Sequence, residues 1–207
     1  FNFPVAVWAW NSMLAAVCGD TTIWKPSDIT PLTAIAMINV AHEVMRDQDI
    51  FNPENGDPCD VFGLVVGTVE EIGEPMIADK RLPLISATGS CRMGRRVGEV
   101  VGGRLGRSLL ELGGNNAIII MEDADLDMVI RGTLFGAVGT AGQRCTSTRR
   151  LLCHESVVDE ITEGLVSAYT QVSIGNPLEG GTLMGPLINE DAVNNMRSSI
   201  EQAKAEG

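Results

Sequence analysis

An α/β fold built on parallel strands is predicted by two features of this chain. Short apolar runs of strand type alternate with amphipathic segments of about a dozen residues, without repeats, low-complexity stretches or charge blocks. The composition supplies a core for such a fold: 44% of the 207 residues are apolar and 20% charged, with mean hydropathy +0.13, far from the range of disordered chains.

In order along the chain, residues 5–18 read as an apolar helix ended by Gly19, residues 21–24 as a short strand, and residues 31–46 as a helix opened by a Thr30 cap with Pro31 at its first position. Residues 60–66 are expected to form a buried strand, 69–78 a helix and 83–88 another strand. After a turn at Gly89, a helix covers 91–101. Strand, helix, strand, helix at this spacing is the pattern of a parallel sheet covered on both faces. Residues 109–112 and 117–121 are further strands flanking a tight Gly113-Gly114 turn, where a boundary divides 1–112 from 113–207. Asp125 opens a helix to about Val138, 150–154 is a strand and 157–172 an amphipathic helix. Residues 175–189 are turn-rich, and Asn189 with Asp191 caps a last helix.

Charge and cysteine content narrow the function. Fifteen Lys+Arg against 27 Asp+Glu leave a net charge of −12, which repels a polyphosphate backbone and an anionic membrane surface. Nucleic-acid and membrane partners are therefore not expected. No apolar run reaches the roughly 18 residues of a bilayer span, and the start lacks the basic region of a signal peptide. A soluble, cytoplasmic protein is expected. Cys18, Cys59, Cys91, Cys145 and Cys153 are odd in number and form no CxxC pair, which argues against a disulfide framework and a zinc site. At least one thiol is free. His42 and His154 are the only histidines, so a histidine-assisted triad or multi-histidine metal site is poorly supplied, and no metal is expected. The chain starts without Met and stops within a helix-like run, which reads as an internal piece of a longer protein.

Four places in the text suit chemistry. Cys145 follows Arg144 among small residues, at a break between helical and extended text. A guanidinium and backbone N–H groups nearby favour thiolate over thiol, so Cys145 is the nucleophile candidate, with an inert buried thiol as the alternative. Glu111 interrupts the apolar run Ser108-Leu-Leu-Glu-Leu112. Burial there would raise its pKa and suit a general base, and an exposed carboxylate on an edge strand is the alternative. The strand before Gly89-Ser90-Cys-Arg-Met-Gly94 and the helix after it could face backbone amides toward a pyrophosphate, although the spacing is not GxGxxG, the signal alone is weak, and an ordinary turn is the alternative that local text favours. Lys25 and Asp28 end the first strand, where open α/β sheets place ligands, and could bond ribose hydroxyls or be solvated surface charges.

In this order the motifs resemble the aldehyde dehydrogenase superfamily. The matching text is Asn2-Phe-Pro4, Trp24-Lys-Pro-Ser27, Thr30-Pro-Leu-Thr33, Thr88-Gly-Ser90 with Gly94, Glu111-Leu-Gly-Gly114, Gly142-Gln-Arg-Cys145, Gly175-Asn-Pro177 and Gly185-Pro186. Three variants resemble family 7, the antiquitin or α-aminoadipic semialdehyde dehydrogenase group: Phe1 before Asn-Phe-Pro, Asn115-Asn116-Ala117, and Gln143-Arg144-Cys145-Thr146.

The resemblance implies a Rossmann-like cofactor-binding domain over residues 1–112, followed over 113–207 by the start of an α/β catalytic domain. It implies that Cys145 attacks the aldehyde, Asn2 donates to the oxyanion and Glu111 activates the deacylating water. Lys25 and Asp28 would hold the adenosine ribose of NAD, with Asp28 repelling the 2′-phosphate of NADP, while Gly89, Ser90 and Gly94 shape the pyrophosphate turn. Cys91 departs from the Thr commoner there. Arg144 would favour aldehydes that carry a distant carboxylate. The complete chain implied is more than twice as long and homo-oligomeric, a dimer or tetramer, and includes the segment that binds the nicotinamide ribose. Two other readings stand beside this one: a CoA-acylating relative, against which the intact Glu111 motif argues, and a non-catalytic protein retaining the fold.

Overall fold

The computed structural model describes residues 1–48, 51, 54 and 56–207. Among them the order is α1 (Ala6–Val17), β1 (Thr22–Trp24), α2 (Pro31–Asp47), β2 (Phe62–Leu64), α3 (Glu74–Ala78), β3 (Leu84–Thr88), α4 (Cys91–Gly103), β4 (Arg107–Glu111), β5 (Asn116–Ile120), α5 (Leu126–Val138), β6 (Thr148–Cys153), α6 (Val158–Thr170) and α7 (Glu190–Glu206). The chain divides into two compact units, Phe1–Leu112 and Gly113–Gly207. Strand pairing is parallel throughout these elements, as the α/β pattern requires.

In the first unit, β1 pairs with β2 from Thr22↔Phe62 to Trp24↔Leu64. β3 pairs with β4 from Leu84↔Arg107 to Thr88↔Glu111. Two cores hold these pairs. Trp8 of α1 stacks on Trp24 at 5.0 Å and meets Phe62 edge-on at 5.6 Å, with Ile38 of α2 completing the cluster. Val97 and Val101 of α4 pack with Ile77 against Ile85, Ala87 and Leu110. Each such fully buried aliphatic side chain contributes about 1.5–3 kcal/mol. In the second unit, β5 and β6 pair with a bulge, since Asn116 opposes Thr148 whereas Ala117 opposes Arg150. Ile120, Val157 and Ile161 form its core, and Cys153 packs against them.

Several expectations are corrected. The parallel pairing is as expected, and the corrections are local: within these residues Ile85 and Ala87 face the core, while Leu84 on β3 is half exposed and Ile119 on β5 is 71% exposed. The helix expected over 69–78 is a π-helical turn, Val69–Gly73, running into α3. Pro75 has no amide to continue an α-helical ladder and crowds the carbonyl four residues back, which widens that turn. Thr30 gives no side-chain cap, because its φ of −128° and ψ of 47° lie outside the extended capping conformation. Asp60 belongs to a 3₁₀ turn, Pro58–Asp60, capped by Asp57, so β2 begins later than expected. Asn189 caps α7 through Ala192 N at 3.0 Å, whereas Asp191 sits inside the first turn and favours the helix dipole.

Candidate functional site

The first unit carries the residues expected to bind a cofactor. The Trp8–Trp24 stack fixes the end of β1, from which Lys25 leaves, and Lys25 Nζ donates to Pro26 O at 2.9 Å. Ser27 Oγ accepts from Ile29 N at 3.3 Å, turning the chain so that Asp28 is exposed. Asn2 is half-buried in the segment before α1.

Because β3 and β4 are parallel, their C-terminal ends lie side by side. Beyond β3, Ser90 is extended, its Oγ accepts from Met93 N at 3.2 Å, and its carbonyl accepts from Gly94 N at 2.9 Å. This cap starts α4, whose first turn holds no acidic residue. The donors of its leading amides and its positive dipole end suit a pyrophosphate. Two expected roles shift. The Gly89 amide donates to Glu111 O at 3.0 Å, so it ties the turn to β4 rather than facing a ligand. A Cβ on Gly94 would collide with the Leu112 side chain, so Gly94 serves close packing of α4 on the chain leaving β4. Arg96 on α4 forks onto Glu74 of α3 with bonds of 2.8–3.2 Å, which hold the Glu74 carboxyl below its ordinary range. Glu111 ends β4 and is exposed, so the burial expected from its apolar neighbours is absent.

The second unit carries Cys145. After α5 the chain turns through Gly139–Gly142 with three successive left-handed residues, Thr140 (φ 55°), Ala141 (φ 53°) and Gly142 (φ 72°). Such a conformation in two non-glycines persists only where surrounding bonds impose it. Those bonds are present. Arg144 Nε donates to Thr140 Oγ1 at 2.9 Å, and its guanidinium lies 5.0 Å above the Phe135 ring. Arg149 Nη2 donates to Gly142 O at 3.1 Å. Gln143 Nε2 donates to Thr140 O, and Gln143 Oε1 accepts from Ile188 N at 2.9 Å. Gly139 leaves room for this arrangement, since a Cβ there would come within 2.6 Å of Arg144 Nη2.

Cys145 itself is exposed, which removes the reading of an inert buried thiol. Arg144 is half-buried and engaged within the loop, so its first part is to order the segment that presents Cys145. Ser147 and Asn116 were not singled out from the sequence as site residues. Ser147 is buried, its Oγ accepts from Arg144 N at 3.1 Å, and Asn116 Nδ2 donates to Cys145 O at 2.6 Å. The Asn115-Asn116 pair was legible only as a family variant.

His42 Nε2 lies 2.7 Å from Phe62 O, and His154 stands beside Ser156 Oγ at 2.8 Å. All five cysteines are free thiols. Among the described residues, no three His, Cys, Asp or Glu gather to hold a metal, and no helix is long and apolar enough to cross a membrane.

The aldehyde dehydrogenase family model matches residues 1–207. The chain is 49% identical over its whole length to aldehyde dehydrogenase family 7 member B4 of Arabidopsis thaliana, covering 39% of that protein. It is 45% identical to alpha-aminoadipic semialdehyde dehydrogenase of Bos taurus, again over its whole length and 37% of the relative. The chain thus spans about two-fifths of the curated relatives it matches. Among solved structures, it is similar over its full length to an NAD-dependent aldehyde dehydrogenase from Sinorhizobium meliloti, with TM-score 0.89 and 32% identity over 39% of that chain. It is also similar over its full length to betaine aldehyde dehydrogenase from Staphylococcus aureus in complex with NAD+, with TM-score 0.86 and 33% identity over 39% of that chain.

Proposed function

The chain belongs to the aldehyde dehydrogenase family, and on that premise we propose that the full-length protein oxidises an aldehyde to its carboxylic acid with NAD, through a thioester on Cys145. The observation that carries this reading is an exposed cysteine on a loop whose left-handed backbone is fixed by cross-bonds from Arg144, Arg149 and Gln143. Residues 1–112 serve as part of the NAD-binding domain and 113–207 as the start of the catalytic domain.

An aldehyde carbon cannot release hydride until it is tetrahedral. The Cys145 thiolate therefore adds first, and the Asn2 amide and the Cys145 N–H hold the oxyanion that forms. NAD, held at its ribose by Lys25 and Asp28 and at its pyrophosphate by the capped start of α4, supplies the hydride acceptor. The donor set fits it, with amides and a lysine for the anionic and hydroxyl groups and no acidic residue in the first turn of α4. Cys145 then carries the acyl group as a thioester. Glu111 takes a proton from water, the hydroxide adds to the thioester carbon, and the acid leaves as the thiol is regenerated.

Similarity to family 7 relatives supports a semialdehyde acid as substrate, with Arg144 as the group that reads its carboxylate. We further infer a cytoplasmic homo-oligomer. NADH formation by the full-length protein from a semialdehyde acid, with and without CoA, tests the reading. Release of free acid without CoA is expected, whereas an absolute CoA requirement would establish the acylating alternative, and no aldehyde-dependent NADH would remove the enzymatic reading.

A further inference from the structure

We propose that Asn116 is a positioning residue for Cys145, holding the main chain around the nucleophile in the arrangement that presents its thiol. The inference rests on the reading of Cys145 as nucleophile and adds a residue to it.

Among the described residues packing does not orient the Cys145 side chain, because that side chain is exposed. Its direction must come from the backbone, which reaches it through the left-handed Thr140, Ala141 and Gly142. On the near side, Arg144 is locked to buried Ser147: Arg144 N donates to Ser147 Oγ at 3.1 Å and Ser147 N donates to Arg144 O at 3.3 Å. On the far side, Asn116 Nδ2 donates to Cys145 O at 2.6 Å and to Ser147 O at 3.1 Å. One carboxamide nitrogen thus spans the two carbonyls that flank Thr146. Rotation about ψ of Cys145 would break the shorter bond, so the bond fixes the Cys145 backbone and with it the direction of both Cβ and N–H.

Local structure places Asn116 for this task. It opens β5 opposite Thr148, one residue before the bulge that shifts Ala117 to Arg150, so its side chain reaches the segment leading into β6. The Arg150 guanidinium anchors the preceding residue by donating to Asn115 O at 2.8 and 3.2 Å. At Gly114 a Cβ would lie 3.1 Å from Asn116 Oδ1, and its absence gives the carboxamide room to fold over. The chemistry demands an amide: a carboxylate of the same shape would set an oxygen against two carbonyl oxygens, which accept and cannot donate.

The test uses the full-length enzyme with Asn116→Ala and Asn116→Asp, measuring the NADH burst rate constant per titrated active site, KM for aldehyde and NAD dissociation. Titration removes any misfolded fraction, so a purely structural role leaves the burst unchanged. Misplacement of a reacting group is expected to slow the burst by about 10- to 100-fold, more in Asp than in Ala, while KM and NAD affinity stay within about twofold. A burst within about twofold of wild type in either variant, beside an inactive Cys145→Ala, would overturn the role of Asn116 alone. Turnover by Cys145→Ala would instead remove the nucleophile reading. Where neither variant folds, side-chain amide exchange in the wild type decides: slow exchange of the Asn116 Nδ2 protons is expected from their bonds to Cys145 O and Ser147 O, and exchange as fast as in exposed asparagine carboxamides would overturn the proposal.

Discussion

The Gly89 amide donates to the Glu111 carbonyl at 3.0 Å, extending the β3–β4 ladder by one bond beyond the Thr88↔Glu111 pair. The turn that starts α4 and the main chain of the residue proposed as general base are therefore tied to one another. Glu111 stays exposed at that strand end, where it can meet water.

Glu111→Gln is expected to separate the two half-reactions. The variant keeps the main-chain bond to Gly89 and the side-chain shape but cannot take a proton. About one equivalent of NADH per active site should appear in a burst. Steady turnover should then fall by the roughly 10²- to 10⁴-fold that general-base catalysis supplies. Rapid-mixing absorbance reads both phases. Loss of the burst would assign Glu111 to deprotonation of Cys145 as well, and unchanged turnover would sink the base assignment.

Asp28 is expected to exclude a 2′-phosphate by charge. Asp28→Asn should raise the ratio of kcat/KM for NADP over NAD by roughly tenfold, chiefly through KM, since one removed repulsion is worth about 1.4 kcal/mol per tenfold. Initial-rate kinetics with both cofactors check this, and an unmoved ratio would place cofactor choice elsewhere.

Arg144 has two parts to separate. Its bond to Thr140 and its seat over Phe135 order the loop, whereas a carboxylate on the substrate would take the Nη edge of the fork. If it also reads the carboxylate, Arg144→Ala should lower kcat/KM for a semialdehyde acid by about 10- to 100-fold more than for a neutral aldehyde of equal length, equivalent to about 1.5–3 kcal/mol, the loss common to both substrates measuring the loop-ordering part. Equal losses would leave only the loop-ordering part.

Asp79 precedes β3 and accepts from Arg81 through its amide at 2.9 Å and its guanidinium at 2.6–3.1 Å, which brings its pKa from 3.8 down to about 2. A carboxyl depressed on folding stabilises above its unfolded pKa, and that contribution disappears as pH falls through the folded value. Asp79→Asn should therefore lower Tm at pH 7, with the difference from wild type closing between pH 4 and 2. A difference constant across that range would contradict the assignment. The pair is exposed on the Arg81 side, so the effect is small.

Much of this structure was legible in the sequence because it rests on periodicity and local caps. Asp125 and Asn189 cap their helices as their positions suggest, through Met128 N and Ala192 N, both at 3.0 Å. What the text concealed depends on contacts distant in sequence. Gly94 reads as a phosphate-turn glycine, yet Leu112, eighteen positions away, explains it. Pro75 reads as a residue within a helix and instead widens the preceding turn. Asn116 lies 29 positions from Cys145, and only the β5–β6 pairing brings its amide to the nucleophile's loop. Glu111 shows the opposite error, where apolar neighbours in sequence suggested burial that the end of a strand does not give.

The central claim, that Cys145 is the nucleophile, is tested most directly by Cys145→Ala in the full-length enzyme, with NADH formation and NAD binding measured on the same preparation. NAD should bind with the wild-type dissociation constant while aldehyde-dependent NADH formation, burst included, falls to background. Aldehyde-dependent NADH formation retained in the variant would contradict the account.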